Sequence, residues 1–313
     1  MNSSLTEALS RARAQIPTGE ARLLLARVVG RSSAWLEAHR EEALSPQQLA
    51  AFSHLVTRRA AGEPVAYLLG TREFYGRDFT VNPAVLIPRP ETELLVDVVL
   101  EKVGVTEGNP RGTGGTKCPA AGMKCPEAGT ASSHPAANTM TARILDLGTG
   151  SGCIAITLAL ELPRTRVTAV DVAPQALEVA RVNAQLLGAS VDLLVSDWFA
   201  ELPEERFDFI VANPPYVAAG DPHLLEGDLR FEPLDALTDQ ADGQAALRHI
   251  VATAPRWLNP GGSLFFEHGF DQAVAVFDLL VAAGFAGIEQ HRDLAGIVRV
   301  SGGRLLDPSP PSD

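Results

Sequence analysis

The chain predicts an α/β protein with a Rossmann-like, mostly parallel sheet in its C-terminal half, preceded by a small helical bundle and joined to it through a β-hairpin. Three observations carry this. From Ile144 onward, short apolar runs alternate with helix-like segments, the order that a parallel sheet with right-handed crossovers requires. One of those runs opens into the glycine turn Gly148-Thr149-Gly150-Ser151-Gly152, and another stops abruptly at Asn213-Pro214-Pro215-Tyr216. Before residue 64, apolar residues recur at helical spacing instead.

Residues 1–64 read as an N-terminal helical domain. Ser4-Leu5-Thr6-Glu7 and Ser45-Pro46-Gln47-Gln48 have the capping-box form, the second with Pro at the first helical position. Gly30 and Gly62 are natural C-terminal stops. Leu23, Leu24, Arg27 and Val28, then Leu49, Phe52, Leu55 and Val56, recur as core stripes. Residues 65–103 change character: short strands are expected at 66–69, 72–74 and 78–81, followed by a connecting helix over 90–103.

Residues 104–140 interrupt the pattern. Lys117-Cys118-Pro119-Ala120-Ala121-Gly122 is nearly repeated as Lys124-Cys125-Pro126-Glu127-Ala128-Gly129, among Gly, Thr, Ser and Pro. So little apolar surface does not offset the entropy of ordering the segment, and a flexible insertion is expected. Cys118 and Cys125, with only His134 nearby, lack a zinc-site spacing, so no metal is expected.

Residues 141–304 carry the chemistry. The strand from Ile144 to Leu147 runs into the glycine turn, where backbone must take positive φ or approach a ligand closely, and a helix follows over 153–160. A second strand, from Val167, ends at Asp171, at the distance past the turn (about 20 residues) where an acid meets ribose hydroxyls in dinucleotide folds. Cys153 stands where a third dinucleotide-motif glycine would be, and no pyrophosphate site is suggested. S-adenosylmethionine fits better. Its ribose suits Asp171, its carboxylate suits Gly148 to Gly152, and its adenine suits Ser196-Asp197-Trp198, which ends a third strand over 191–195. Asp171 as a helix cap and Trp198 as a core residue are the bland alternatives.

The strand over 207–212 must stop at Asn213-Pro214-Pro215-Tyr216, because neither proline can donate to a sheet ladder. The Asn213 side chain and the Pro214 carbonyl then offer two acceptors for the hydrogens of one –NH2 group, with Tyr216 as a flat wall. An amide nitrogen is a weak nucleophile because its lone pair is delocalised; holding both hydrogens would localise that density and aim it. A strand terminator with a buried tyrosine is the alternative. A fifth strand at 262–267 and a final pair at 285–291 and 297–301 complete the sheet, and the tail 305–313 is expected to be disordered.

On these residues the chain resembles the HemK/PrmC family of protein-(glutamine-N5) methyltransferases. The match extends to Leu86-Ile87-Pro88-Arg89-Pro90-Glu91-Thr92-Glu93, to Asp228-Leu229-Arg230-Phe231-Glu232-Pro233-Leu234 and to Glu267-His268-Gly269. The resemblance implies a class I methyltransferase sheet of seven strands, S-adenosylmethionine as cofactor, and methylation of the glutamine in the Gly-Gly-Gln motif of class 1 peptide chain release factors, with the helical domain recognising substrate. It implies Asn213, Pro214 and Tyr216 as catalytic, and Pro215 and Arg89 beside them at the substrate. Gly148, Thr149, Gly150, Ser151, Gly152, Asp171, Asp197, Trp198 and Asn213 would hold the cofactor. Arg89 has a second reading, an ion pair with Glu91 or Glu93, and His268 reads as structural.

Composition narrows the field. A formal charge of −12 over 313 residues argues against extended contact with nucleic acid. Arg58-Arg59 and the Arg72/Arg77 pair are the candidate basic patches, against a default of solvated charges. No apolar run is suited to crossing a membrane and the N-terminus lacks a secretory pattern, so a cytoplasmic enzyme is expected. Two other classes compete. A DNA adenine or cytosine amino-methyltransferase would need a basic groove and a base-reading domain, and a non-catalytic S-adenosylmethionine-binding protein would have no need of the intact clamp.

Overall fold

A computed structural model describes residues 3–106 and 142–306. The helix expected to end at residue 103 runs on to Thr106, so residues 104–106 of the expected insertion are helical; the rest of it, with Cys118 and Cys125, and most of the tail lie outside the described residues.

The first helices are α1 (Leu5–Ala12), α2 (Thr18–Val29), α3 (Ser33–Ala38) and α4 (Pro46–Ala60). Both capping boxes form, with the Ser4 and Ser45 hydroxyls accepting from Glu7 and Gln48 backbone N–H groups and those side chains returning the bond. Gly30 ends α2 at φ 70°. Leu24, Phe52 and Val56 are buried together with Leu5 and Leu25. Leu23, expected in the core, is 46% exposed: the inward face of α2 runs through Ala21, Leu24 and Leu25, which leaves Leu23 on the solvent side.

Residues 66–69 form no strand. Pro64 and the left-handed Gly70 bracket a short helix, α5 (Val65–Leu69), which buries Tyr67 and Leu68. The hairpin proper is β1 (Thr71–Phe74) and β2 (Arg77–Thr80), paired antiparallel through a Tyr75-Gly76 turn with both residues at positive φ, the backbone that matches strand twist. Phe74 and Phe79 meet edge to face and enter the main core. A short 3-10 turn, Pro90–Thr92, then leads into α6 (Glu93–Thr106).

The strands of the second half are β3 (Arg143–Leu147), β4 (Arg166–Asp171), β5 (Asp192–Val195), β6 (Phe207–Ala212), β7 (Leu258–Glu267), β8 (Phe285–Arg292) and β9 (Val298–Leu305). They form one seven-stranded sheet in the order β5-β4-β3-β6-β7-β9-β8. The strands from β5 to β7 run parallel, and β9 is antiparallel to both its neighbours. β7 starts earlier than its apolar run implied, because residues 259–262 bulge out between the Phe207–Leu258 and Phe209–Ser263 pairings. The helices α7 (Cys153–Glu161), α8 (Pro174–Leu187), α9 (Leu234–Leu237), α10 (Ala245–Thr253) and α11 (Ala273–Ala282) complete the fold.

Two cores sandwich the sheet. Phe74, Phe79, Leu95, Val99, Ile156 and Phe265 are among the residues of one; Leu147, Ile210, Leu247, Ile250, Phe266 and Leu280 belong to the other. The register has a direct consequence for chemistry. Leu147 of β3 pairs with both Val170 of β4 and Ala212 of β6, so Gly148, Asp171 and Asn213 each stand one residue beyond a common level, at the C-terminal edge where α/β folds bind ligands.

Candidate active site

One cavity spans this edge. Its walls include Val85, Pro88, Arg89 and Thr92 before α6, Gly148 to Ser151 of the glycine turn, Asp171 to Ala173, Ser196 to Trp198, and Asn213 and Pro215; Gly152 is not among them.

The glycine turn is shaped by what it lacks. Gly152 sits at φ 81°, and a Cβ there would lie 2.7 Å from Ile156 Cδ1 and 3.1 Å from Ala180 Cβ. A Cβ on Gly148, at φ 70°, would stand 3.6 Å from the Trp198 ring. Asn183 on α8 braces the turn, its side-chain NH2 donating to the Ser151 carbonyl at 2.9 Å and to the Thr80 carbonyl at 3.0 Å, while its oxygen accepts from the Thr80 N–H. The hairpin, α8 and the turn are thus held by one buried amide.

Asp171 faces the turn from β4. Its Oδ2 accepts from the Gly150 N–H and its Oδ1 from the Ala173 N–H, each at 2.9 Å. Burial raises its pKa, opposed by these backbone donors. Asp146, two residues before the turn, is fully buried; Oδ2 accepts from the Thr149 hydroxyl at 2.7 Å, and Oδ1 has no partner among the described residues. Burial pushes its carboxyl up to about 7. Asp146 carries no expectation from the sequence, although an acid at the penultimate position of a strand that runs into a glycine turn is a usable signal. Trp198 takes a positive φ of 54° and is only partly buried, while Asp197 is exposed.

At the end of β6, Asn213 and Pro215 line the cavity and Pro214 is buried. Asn213 Nδ2 donates to Thr92 Oγ1 at 3.2 Å, and the Thr92 hydroxyl donates to Glu267 Oε2 at 2.6 Å. Among the described residues, no hydrogen bond reaches Asn213 Oδ1 or the Pro214 carbonyl. Tyr216 differs from the wall expected of it. It is not among the cavity-lining residues, and its hydroxyl donates to Glu267 Oε1 at 3.1 Å. Burial and this carboxylate raise the Tyr216 pKa, and burial raises that of Glu267.

Arg89 pairs with neither Glu91 nor Glu93. Its Nη2 donates to Glu232 Oε1, while Glu232 Oε2 accepts from the Ile87 N–H at 2.9 Å. The other candidate arginines are mostly engaged as well: Arg58 with Glu63, Arg59 with Glu20 and Asp228, and Arg77 with Glu161. His268 is wholly buried between the Gly269 carbonyl and Ser301 Oγ, and burial lowers its pKa, which suits a structural side chain. Among the described residues, no helix is long and apolar enough to cross a membrane.

Comparison with known proteins agrees with this architecture. Residues 3–70 match the PrmC N-terminal domain model and residues 132–225 the Methyltransferase small domain model. A release factor glutamine methyltransferase of Bordetella pertussis is 47% identical over 93% of this chain and 96% of its own. That of Burkholderia pseudomallei is 47% identical over 91% of each, and that of Escherichia coli 39% identical over 96% and 97%. With this identity sustained over nearly the full length of both partners, the chain belongs to the release factor glutamine methyltransferase family.

Proposed function

We propose that this protein transfers a methyl group from S-adenosylmethionine to the side-chain amide nitrogen (N5) of the glutamine in the Gly-Gly-Gln motif of class 1 peptide chain release factors, in the cytoplasm. The observation that carries the reading is the pairing of the glycine turn and the Asn213 clamp on adjacent strands at one level.

The cavity residues fit the cofactor. Gly148, Thr149, Gly150 and Ser151 give a close backbone approach for its carboxylate, and Gly152 behind them lets α7 and α8 pack against the turn. Asp171 spends one lone pair of each oxygen on backbone N–H groups and retains capacity for ribose hydroxyls. Asp197 and Trp198 border the adenine end. Bound there, S-adenosylmethionine supplies an electrophilic methyl carbon on a sulfonium.

The chain's own task is to present the nucleophile. Asn213 Oδ1 and the Pro214 carbonyl accept the two hydrogens of the glutamine –NH2, pulling density onto nitrogen and turning its lone pair toward the cofactor end of the cavity. Pro215 shapes the entrance, and Tyr216 supports the clamp from behind through Glu267. Such alignment is worth up to roughly 7–11 kcal/mol in well-oriented systems. The product nitrogen loses its extra proton to water. The helical domain, tied to the 228–231 segment by Arg59 to Asp228 and by Arg230 to the Ala61 carbonyl, offers the second surface for the release factor.

Incubation with methyl-labelled cofactor and either a release factor or DNA tests the proposal, with mass spectrometry locating the label. One methyl on the Gly-Gly-Gln glutamine is expected; label on DNA bases, or on neither, overturns it.

A further inference from the structure

We propose that Thr92 and Glu267 are positioning residues that set which way the Asn213 amide faces. The inference rests on the clamp role of Asn213 given above.

An asparagine amide is nearly symmetric in shape, and its oxygen and nitrogen exchange places by a half-turn about one bond. Only one of the two orientations can accept a hydrogen from a substrate –NH2. With Nδ2 turned to the cavity, two donors would face each other and the clamp would repel what it has to hold. Nothing in the Asn-Pro-Pro-Tyr run itself chooses between them.

The choice comes from the neighbouring strand and from the turn before α6. Glu267, at the last position of β7, is 1% exposed and takes one hydroxyl on each carboxylate oxygen, Thr92 on Oε2 and Tyr216 on Oε1. Both Glu267 oxygens accept from hydroxyls, so the single proton of the Thr92 hydroxyl is spent on Glu267. What Thr92 then shows Asn213 is a lone pair, which selects Nδ2 at 3.2 Å and leaves Oδ1 for the cavity. Thr92 is 2% exposed, which keeps water from competing for that lone pair. Tyr216, by filling the other oxygen, leaves the carboxylate no reason to rotate toward a different donor. The four side chains come from three segments of the chain, and their hydrogen bonds converge on Glu267, from Asn213 through Thr92 on one side and from Tyr216 on the other.

Thr92→Val keeps the shape and deletes the hydroxyl; Thr92→Ser keeps the hydroxyl. In single-turnover and steady-state assays on the release factor, Thr92→Val is expected to lower kcat by about 10- to 100-fold, in the range seen when a preorganised polar group is lost. KM for the release factor and Kd for the cofactor should stay within about twofold, since contacting groups act together and distant ones separately. Thr92→Ser should retain most of the activity. The decisive comparison is the cycle with Asn213→Ala: in that background Thr92→Val should slow the enzyme no further, because there is no amide left to orient. Equal losses in both backgrounds, or unchanged turnover in Thr92→Val, overturn the proposal.

A second readout needs no substrate or cofactor. In protein labelled with 15N-asparagine, the Asn213 side-chain resonance, identified by its disappearance in Asn213→Ala, should shift in Thr92→Val and remain in place in Thr92→Ser. An unmoved resonance in Thr92→Val overturns the orientation argument. An inactive wild-type enzyme with the expected shifts would overturn the substrate assignment and leave this inference standing.

Discussion

Arg89 and Glu232 clasp two segments that lie 143 residues apart in sequence, the run before α6 and the loop after the clamp, with the carboxylate side chain fully buried and the guanidinium partly exposed. Removing the cation leaves a buried carboxylate with only the Ile87 N–H. Breaking one side of such a pair costs about 3–5 kcal/mol when both partners are buried. Because Arg89 retains solvent contact, Arg89→Ala should cost less, about 2 kcal/mol after screening. Urea unfolding measures this; an unchanged midpoint would mean that the clasp contributes nothing to stability.

Asn213→Ala should separate binding from chemistry. Turnover is expected to fall by roughly 10² or more, as for other lost preorganised groups, while calorimetric titration of S-adenosylmethionine changes little. Near-normal methylation by this variant would remove the clamp from the mechanism.

Asp171→Ala should do the reverse. The ribose acceptor is lost, and the Gly150 and Ala173 N–H groups lose theirs. Cofactor Kd should rise at least about tenfold, equivalent to about 1.4 kcal/mol, with kcat recovering at saturating cofactor. An unaltered Kd would place the ribose elsewhere.

Gly152→Ala introduces a Cβ 2.7 Å from Ile156 Cδ1 at a φ of 81°. Overpacking of this kind costs about 1–3 kcal/mol, and positive φ adds strain for any side chain. Both the thermal midpoint and cofactor affinity should drop. A variant as stable as the parent would mean that α7 and α8 yield without cost.

Asp146 gives the chain a pH signature. Its folded-state carboxyl is raised to about 7, above its unfolded value, so between about pH 4 and 7 the folded protein holds a proton that the unfolded chain has released. Stability from this group is full at the acid end and is lost as pH rises, by up to about 1.4 kcal/mol per pH unit. Asp146→Asn should flatten that part of the curve, gaining on the parent as pH increases. Parallel curves for the two proteins across this window would contradict the burial argument.

The central strands β3, β4 and β6 are legible because each is a largely apolar run ended by a glycine, an acid or an Asn-Pro step, and such punctuation is local. The 66–69 segment is not, since its four apolar residues and Val65 before them show no period, and the bracketing by Pro64 and Gly70 decides for a helical turn. Leu23 was misread by the rotation of a single residue on α2. At the site, residues whose role lies in their own neighbourhood, such as Gly152 and Asn213, stood out. Those whose role depends on distant partners did not: Arg89 finds its acid 143 positions away, Thr92 meets Glu267 across 175, and Tyr216 turns to a carboxylate 51 residues downstream. The sequence lists such groups without saying which will be neighbours.

The shared level of Leu147 and Ala212 carries a last implication. Parallel strands stand about 4.8 Å apart, so the separation between donor end and acceptor end is inherited from the ladder of backbone hydrogen bonds. Loops around the rim are free to diverge in length and composition as targets change, whereas the gap that a methyl group must cross is as stiff as the sheet.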